Sequence, residues 1–419
     1  MKSESTQTTS SAIPRIYSKL PPPELEFPQI LYQSHTVFWL LLSLCLFGYI
    51  FTTREDGDYS TNTRQGLFAV MGLMVFLGAM HFPDSEMMSR PHPAMWRMLM
   101  GLEVAYACLL LFLMFFRIED ARQLMKWFSQ ELGVELPERE YATDCRIFTP
   151  ENPDSYFANV RNVVFDCYIP AHAIGWWFKM IIIRDVKLCT FLSLFFEFME
   201  ISLSHQLPNF CECWWDSVIL DLLVCNGGGI YLGYLTCRYF EMKEYHWGVG
   251  RDSRNENERF SSVPRPALQF MPYSWSVHRW KIFDSCKNFV TTVWYIVFVN
   301  MVDLSNFYLK HLLWIPASHW LLLLRVLFWA VYAIIATREY YEYVQSGFTI
   351  RLGSHCWLSQ FLQFLEWSFI IKNSKGIFLE PMPLWIQYVW TLIITFVVTT
   401  TLLLFYNDLR NSPRTKHSK

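Results

Sequence analysis

The sequence predicts an all-α fold: a polytopic integral membrane helix bundle of about ten transmembrane helices. Three observations predict it. Of 419 residues 53% are hydrophobic and 17% charged, against roughly 25% charged in soluble domains, so polar side chains are too few to cover a water-soluble body of this size. Mean hydropathy is positive, +0.18. Apolar stretches of the ~20 residues that a bilayer crossing needs recur along the chain between charged and turn-forming segments. A net charge of −2 supplies no general basic field for nucleic acid.

Residues 1–34 are polar and then proline-rich (Pro21, Pro22, Pro23, Pro28), without an apolar core ahead of a small-residue cleavage site, so the first span is expected to direct insertion. Candidate spans follow at roughly 35–53, 65–82, 95–116, 166–183, 187–204, 216–237, 288–307, 319–337, 355–373 and 384–406. The fourth and fifth are short and carry Lys179, Glu197 and Glu200. Residues 35–406 are thus expected to form one transmembrane catalytic domain, with loop 117–165 as a small cap, 238–287 as a second long loop and 407–419 as a polar tail. An even number of spans leaves both termini on one side. Lys and Arg concentrate there, in the tails and in loop 238–287, which places both termini in the cytosol and loops 117–165 and 207–215 in a lumen.

Residues 172–229 break the apolar pattern. They hold His172, Asp185, Glu197, Glu200, His205, Asn209, Glu212, Asp216, Asp221 and Asn226. An ionised Asp at a membrane helix centre costs ~2.5–3.5 kcal/mol on insertion scales, so a group this large predicts a polar cavity inside the bundle. Glu197 and Glu200, at i and i+3, share a helix face and suit a hard cation with oxygen ligands; the structural alternative is that they answer Lys179 or Arg184. Glu212 and Asp216, at i and i+4, would lie in the first turns of a helix starting near 212 and could equally serve its dipole. Asp221 would sit roughly 140° from Asp216 on a regular α-helix. The mid-span run Asn226-Gly227-Gly228-Gly229 permits close helix approach or a broken helix lining a cavity; without a Walker lysine it is no nucleotide loop. His172 is the candidate general base, and His205 its rival. Arg90 and Arg97 open the third span and suit lipid phosphate. Arg325 lies inside a span and needs a partner that the sequence does not identify. Among the 11 cysteines, Cys211 and Cys213 are spaced too closely for common zinc sites and are expected to be packing residues. Cys145 in the cap loop and Cys167 just after it are candidates for a disulfide if that loop is lumenal.

The run Leu207-Pro-Asn-Phe-Cys-Glu-Cys-Trp-Trp-Asp216, followed by Asp221-Leu-Leu-Val-Cys-Asn-Gly-Gly-Gly229, resembles the eukaryotic base-exchange phosphatidylserine synthases. The resemblance continues through Ser89-Arg-Pro-His-Pro-Ala94, the His172 to Gly175-Trp segment, 195–200, 269–275 and 306–310. Leu136-Pro-Glu-Arg139, Pro170-Ala-His172 and Ile183-Arg-Asp185 look more like the type 2, ethanolamine-exchanging enzymes. The resemblance implies a multi-pass endoplasmic-reticulum enzyme, a homodimer, that uses Ca2+ and replaces the head group of phosphatidylethanolamine or phosphatidylcholine with L-serine. The family's essential polar positions map onto His172, Glu197, Glu200, Asn209, Glu212, Asp216, Asp221 and Asn226. On that basis Glu197, Glu200 and Glu212 are expected to hold calcium, and His172, oriented by Asp216, to take the serine hydroxyl proton. Asn209, Asp221 and Asn226 are expected to bind substrate. A phosphatidyl-histidine intermediate is the alternative chemistry. A CDP-alcohol phosphatidyltransferase would carry D-G-x2-A-R before its spaced aspartates, which this chain lacks. A lipid or ion transporter, or a scramblase, with an intramembrane carboxylate site is the alternative from another class.

Overall fold

A computed structural model describes residues 42, 49, 59–82, 93–136, 144–151, 155–165, 168–241, 280–374 and 376–406. The chain divides into two compact units, 1–62 and 63–419, and the second holds the helix bundle. The expected span at 35–53, Arg90, Cys167, most of loop 238–287 and both tails lie outside the described residues.

Among the described residues all regular structure is helical. The longer elements are α1 (Tyr59–His81), α2 (Pro93–Leu113), α3 (Ile118–Met125), α4 (Ala158–Val164), α5 (Tyr168–Ile183), α6 (Val186–Leu203), a π-helix π1 (Asp216–Gly227), α7 (Gly228–Glu241), α8 (Cys286–Leu312), α9 (Trp320–Gln345), α10 (Ser354–Asn373) and α11 (Leu384–Leu404). Several starts are written in the sequence. The Asp185 carboxylate accepts from Leu188 N at 3.0 Å, Ser285 Oγ from Asn288 N at 3.1 Å and His319 Nδ1 from Leu321 N at 3.2 Å. Each satisfies one of the amides that a helix start leaves unpaired.

Five described helices are long and apolar enough to cross a membrane: 94–113, 216–239, 286–312, 320–345 and 384–404. Two shorter apolar helices, 63–79 and 169–183, accompany them. The helices α6 and α10 carry buried Glu197, Glu200, Glu366 and Gln363, so their polar faces belong to the bundle interior rather than to lipid. In contrast, α11 turns Leu384, Leu392 and Leu403 outward, an arrangement that hydrocarbon accommodates and water does not.

The bundle has two lobes, joined where α9 packs on α5 and α8 on α6. In one, α5 packs along π1 and α7, with α6 alongside; in the other, α10 packs on α2, α8 and α9. Trp176, Met180, Leu192, Tyr295 and Tyr340 fill one core cluster, and Leu207, Phe210, Tyr308 and Phe369 a second, beneath α3. The cap loop is therefore packed rather than loose: Ile118, Ala121 and Leu132 are buried, and Arg122 donates from Nε to Leu312 O at 2.8 Å with its guanidinium over the Trp314 ring.

The structure supplies the partner of Arg325. Its Nη2 contacts Glu366 Oε2 at 2.6 Å and Ser305 Oγ at 2.8 Å, while Nη1 reaches Asn306 Oδ1 at 3.0 Å. Tyr106 OH and Trp329 Nε1 donate to the other Glu366 oxygen. This network ties α2, α8, α9 and α10 together. The cysteine expectation is corrected. Cys213 is not a packing residue but forms a disulfide with Cys145, and Trp215 Nε1 donates to Cys145 O at 3.1 Å. A bridge between positions 68 apart in sequence leaves no local spacing signal by which to choose it.

Candidate active site

Three elements bring His172, Glu197, Glu200, Asp221 and Asn226 into one region, while Asp185 caps the opposite end of α6. His172 lies within the first turns of α5, and its Nδ1 is 3.0 Å from Asp221 Oδ1 on π1. Glu197 and Glu200 project from α6 and are both buried. Asn226, at the end of π1, donates from Nδ2 to Glu197 Oε1 at 2.8 Å.

The π-helix decides this geometry. Its hydrogen bonds run from i to i+5, so residues five apart stack one turn above another. Asp216, Asp221 and Asn226 are spaced by five and share one face. The 140° separation expected for Asp216 and Asp221 on an α-helix is thus corrected: the wider turn aligns them. Their charges act together, since Asp221 and Asp216 both bear on Glu197. The carboxylate on the imidazole is also corrected: it is Asp221, not Asp216.

Glu212 does not begin a helix. The chain makes a single 3-10 turn at Pro208–Phe210, which carries half-buried Asn209, and then runs without regular structure through Cys213. The disulfide at Cys213 and the bond from Trp215 hold that stretch against the cap. Glu212 therefore precedes the helix and accepts from Ser217 Oγ at 3.2 Å, whereas Asp216 does stand in the first turn, where the dipole favours its charge. Burial, then the charges of Asp221, Asp216 and Glu197, raises the Glu212 carboxyl above the ordinary carboxylate range.

The alternative that Glu197 and Glu200 answer Lys179 is corrected as well. Lys179 Nζ pairs with Asp303 Oδ2 on α8 at 2.7 Å. Glu200 instead feels Glu212, Glu197, Asp221 and Asp303, all of one sign. Asp303 is the site residue that sequence reasoning missed, although a carboxylate in the middle of an apolar span is the signal that would have found it. His205, the rival base, contacts Gln206 Nε2 at 3.2 Å and has no carboxylate bonded to it among the described residues. Arg97 lies near the start of α2, apart from these residues in sequence and element.

This donor set suits a hard cation. It offers several carboxylates and the Asn226 side-chain carbonyl, which is buried with no hydrogen-bond partner; oxygen-only, anionic sets favour calcium-like ions. Among the described residues no three His, Cys, Asp or Glu side chains stand close enough to form a ready metal cluster. The acids share a region without meeting at one point.

Residues 91–374 match the family described as phosphatidyl serine synthase. The chain is 36% identical to human phosphatidylserine synthase 2 over 377 residues, covering 90% of this chain and 76% of the human protein. It is 35% identical to the Danio rerio protein of the same name over 378 residues, 90% of this chain and 82% of that one. It is also 39% identical, over 368 residues and 86% of each chain, to an Oryza sativa subsp. japonica protein named CDP-diacylglycerol–serine O-phosphatidyltransferase 2.

Proposed function

The chain belongs to the phosphatidyl serine synthase family, and from that premise we propose that it forms phosphatidylserine by calcium-dependent base exchange. L-serine displaces the head group of phosphatidylethanolamine or phosphatidylcholine. Serine is common to the names of the vertebrate and plant relatives. The plant name specifies a CDP-diacylglycerol donor and the vertebrate name specifies none; the absence of the CDP-alcohol aspartate signature favours an existing phospholipid here.

The observation that carries the reading is the His172–Asp221 pair beside the acidic group. Asp221 on Nδ1 holds the ring and leaves Nε2 to face a hydroxyl. His172 then removes the serine hydroxyl proton as that oxygen bonds to phosphorus. The bond from phosphorus to the departing alcohol breaks, and the proton returns to its oxygen. One head group replaces another, so no nucleotide is consumed. Asp216 and Asn209 are assigned to the substrate amine, a cation that a carboxylate and a side-chain carbonyl suit. Glu197, Glu200 and Glu212 would hold calcium, with Asn226 fixing Glu197; the bound ion would neutralise the phosphodiester charge.

The disulfide supports a compartment for this chemistry. Such bonds persist in oxidising lumens rather than in cytosol. The Cys145–Cys213 bridge therefore favours loops 117–165 and 207–215 facing the endoplasmic-reticulum lumen, with both termini in the cytosol.

The test supplies purified protein with labelled L-serine and either lipid, with calcium or chelator and without CTP or CDP-lipid. Labelled phosphatidylserine formed only with calcium is expected. No product from either lipid, with product appearing once CDP-diacylglycerol is added, would refute base exchange.

A further inference from the structure

We propose that Lys179, held by Asp303, binds the carboxylate of the incoming amino acid and so selects serine over amino alcohols that lack one. The inference rests on the serine-accepting activity proposed above. Lys179 follows His172 by two turns of α5, so both project from one face. Its ammonium stands over the Trp176 ring, 4.2 Å from the centroid. Helical side chains lean toward the N-terminus, and this one has returned to the level of Trp176, leaving ~6 Å of helix rise to His172. One serine molecule, with a hydrogen bond at each end, fills such a gap: hydroxyl at the imidazole, carboxylate at the ammonium.

Access and charge agree with that placement. The side chains of Lys179 and Asp303 are 25% and 27% exposed, whereas Arg325 and Glu366 are 14% and 0% exposed. The second pair is sealed inside the bundle, whereas the first is partly accessible. Beyond its bond to Asp303, the ammonium retains further N–H donors. The charges bearing on His172 are those of Asp221, Glu197 and Lys179. Lys179 is the cation of that set, and Asp303 joins it to the acids around Glu200. Serine differs from ethanolamine by its carboxylate. An acid-lined site attracts the amine of both and repels the carboxylate of one; with calcium assigned to the phosphodiester, Lys179 is the side-chain cation acting on His172 that is left for that carboxylate.

The experiment measures full-length purified protein with labelled serine, and with ethanolamine as acceptor or as competitor for serine. Lys179→Gln is expected to raise the serine KM roughly 10-fold to 100-fold, the range for a lost charged hydrogen bond, while the constant for ethanolamine stays within about twofold. The kcat at saturating serine stays near that of the parent, and Lys179→Arg restores part of the loss. Lys179→Met with Asp303→Leu fills the same space with apolar groups; it should show the same serine-specific defect and serves if the single change does not fold. Equal losses for both acceptors, or a fall in kcat at unchanged serine KM, would overturn the assignment. Parent protein inactive toward serine with either lipid would refute the proposed function instead, so the two failures are separable.

Discussion

Three consecutive glycines should respond differently to one added methyl group. Gly229 lies on α7 where it crosses α5. A Cβ there would penetrate the Ala173 carbonyl oxygen and stand 2.9 Å from Trp176 Cβ and 3.0 Å from Trp177 N. Two of these three are backbone atoms, so no rotamer change relieves the contact. Comfortable separations begin near ~3.5 Å, and α5 must retreat from α7 by about 1 Å, at an overpacking cost of ~1–3 kcal/mol. Ala173 adjoins His172, whose bond to Asp221 is 3.0 Å long; stretching it by that amount takes it beyond hydrogen-bonding range. A misplacement of about 1 Å can cost on the order of 100-fold in rate. Gly229→Ala is therefore expected to lower kcat by about that factor with only a modest fall in Tm. Gly228 has nothing within 4 Å of the added atom, and Gly227 has only Leu222 O at 3.5 Å, so alanine at either should leave activity near the parent level. Initial rates of serine incorporation and thermal unfolding of the three purified variants decide the matter. A fully active Gly229→Ala, or equal losses at all three positions, would refute the reasoning.

Other outcomes follow from the same geometry. Glu366→Gln strands Arg325 in the bundle and should cost ~3–5 kcal/mol, read as a fall in Tm, whereas Arg325→Met with Glu366→Leu should recover much of it. Cys145→Ser should lower stability by ~2–4 kcal/mol and abolish the mobility change that reductant produces on a denaturing gel; an unchanged reductant response would contradict the bridge. Glu200→Gln should abolish exchange at every calcium concentration while the protein still folds, and full activity would contradict the proposed metal role.

Helix positions were legible because span length and apolar composition follow directly from bilayer thickness. Every expected span from the second to the tenth overlaps a described helix. The polar membership of the site was legible for a related reason: charge is costly in hydrocarbon, so Glu197, Glu200 and Asp221 stand out by type alone. Pairings were less so. Whether Lys179 faces Glu197 or Asp303, and whether Cys145 meets Cys167 or Cys213, depends on which helices adjoin, and contacts between residues 124 or 68 positions apart leave no local pattern. Arg325 announced that it needed a partner, but several carboxylates lay within spans.

The helix period itself was the assumption that failed, and it can be tested directly. Asp216, Asp221 and Asn226 form one face only because π1 closes i to i+5 hydrogen bonds over 12 residues. In an α-helix the residue one turn on from Asp216 and nearest in alignment would be Leu220, and Asp221 would turn away. Exchanging the two residues, Leu220→Asp with Asp221→Leu, separates the registers. On an α-helical face the exchanged carboxylate would approach Asp216 and preserve the site. On the π face it leaves the imidazole, and leucine takes its place beside His172. The exchanged variant is expected to be as inactive as Asp221→Leu alone, at a comparable Tm. Activity restored by the exchange would show that the working enzyme holds this segment in α register, and with it the His172–Asp221 pairing would fall.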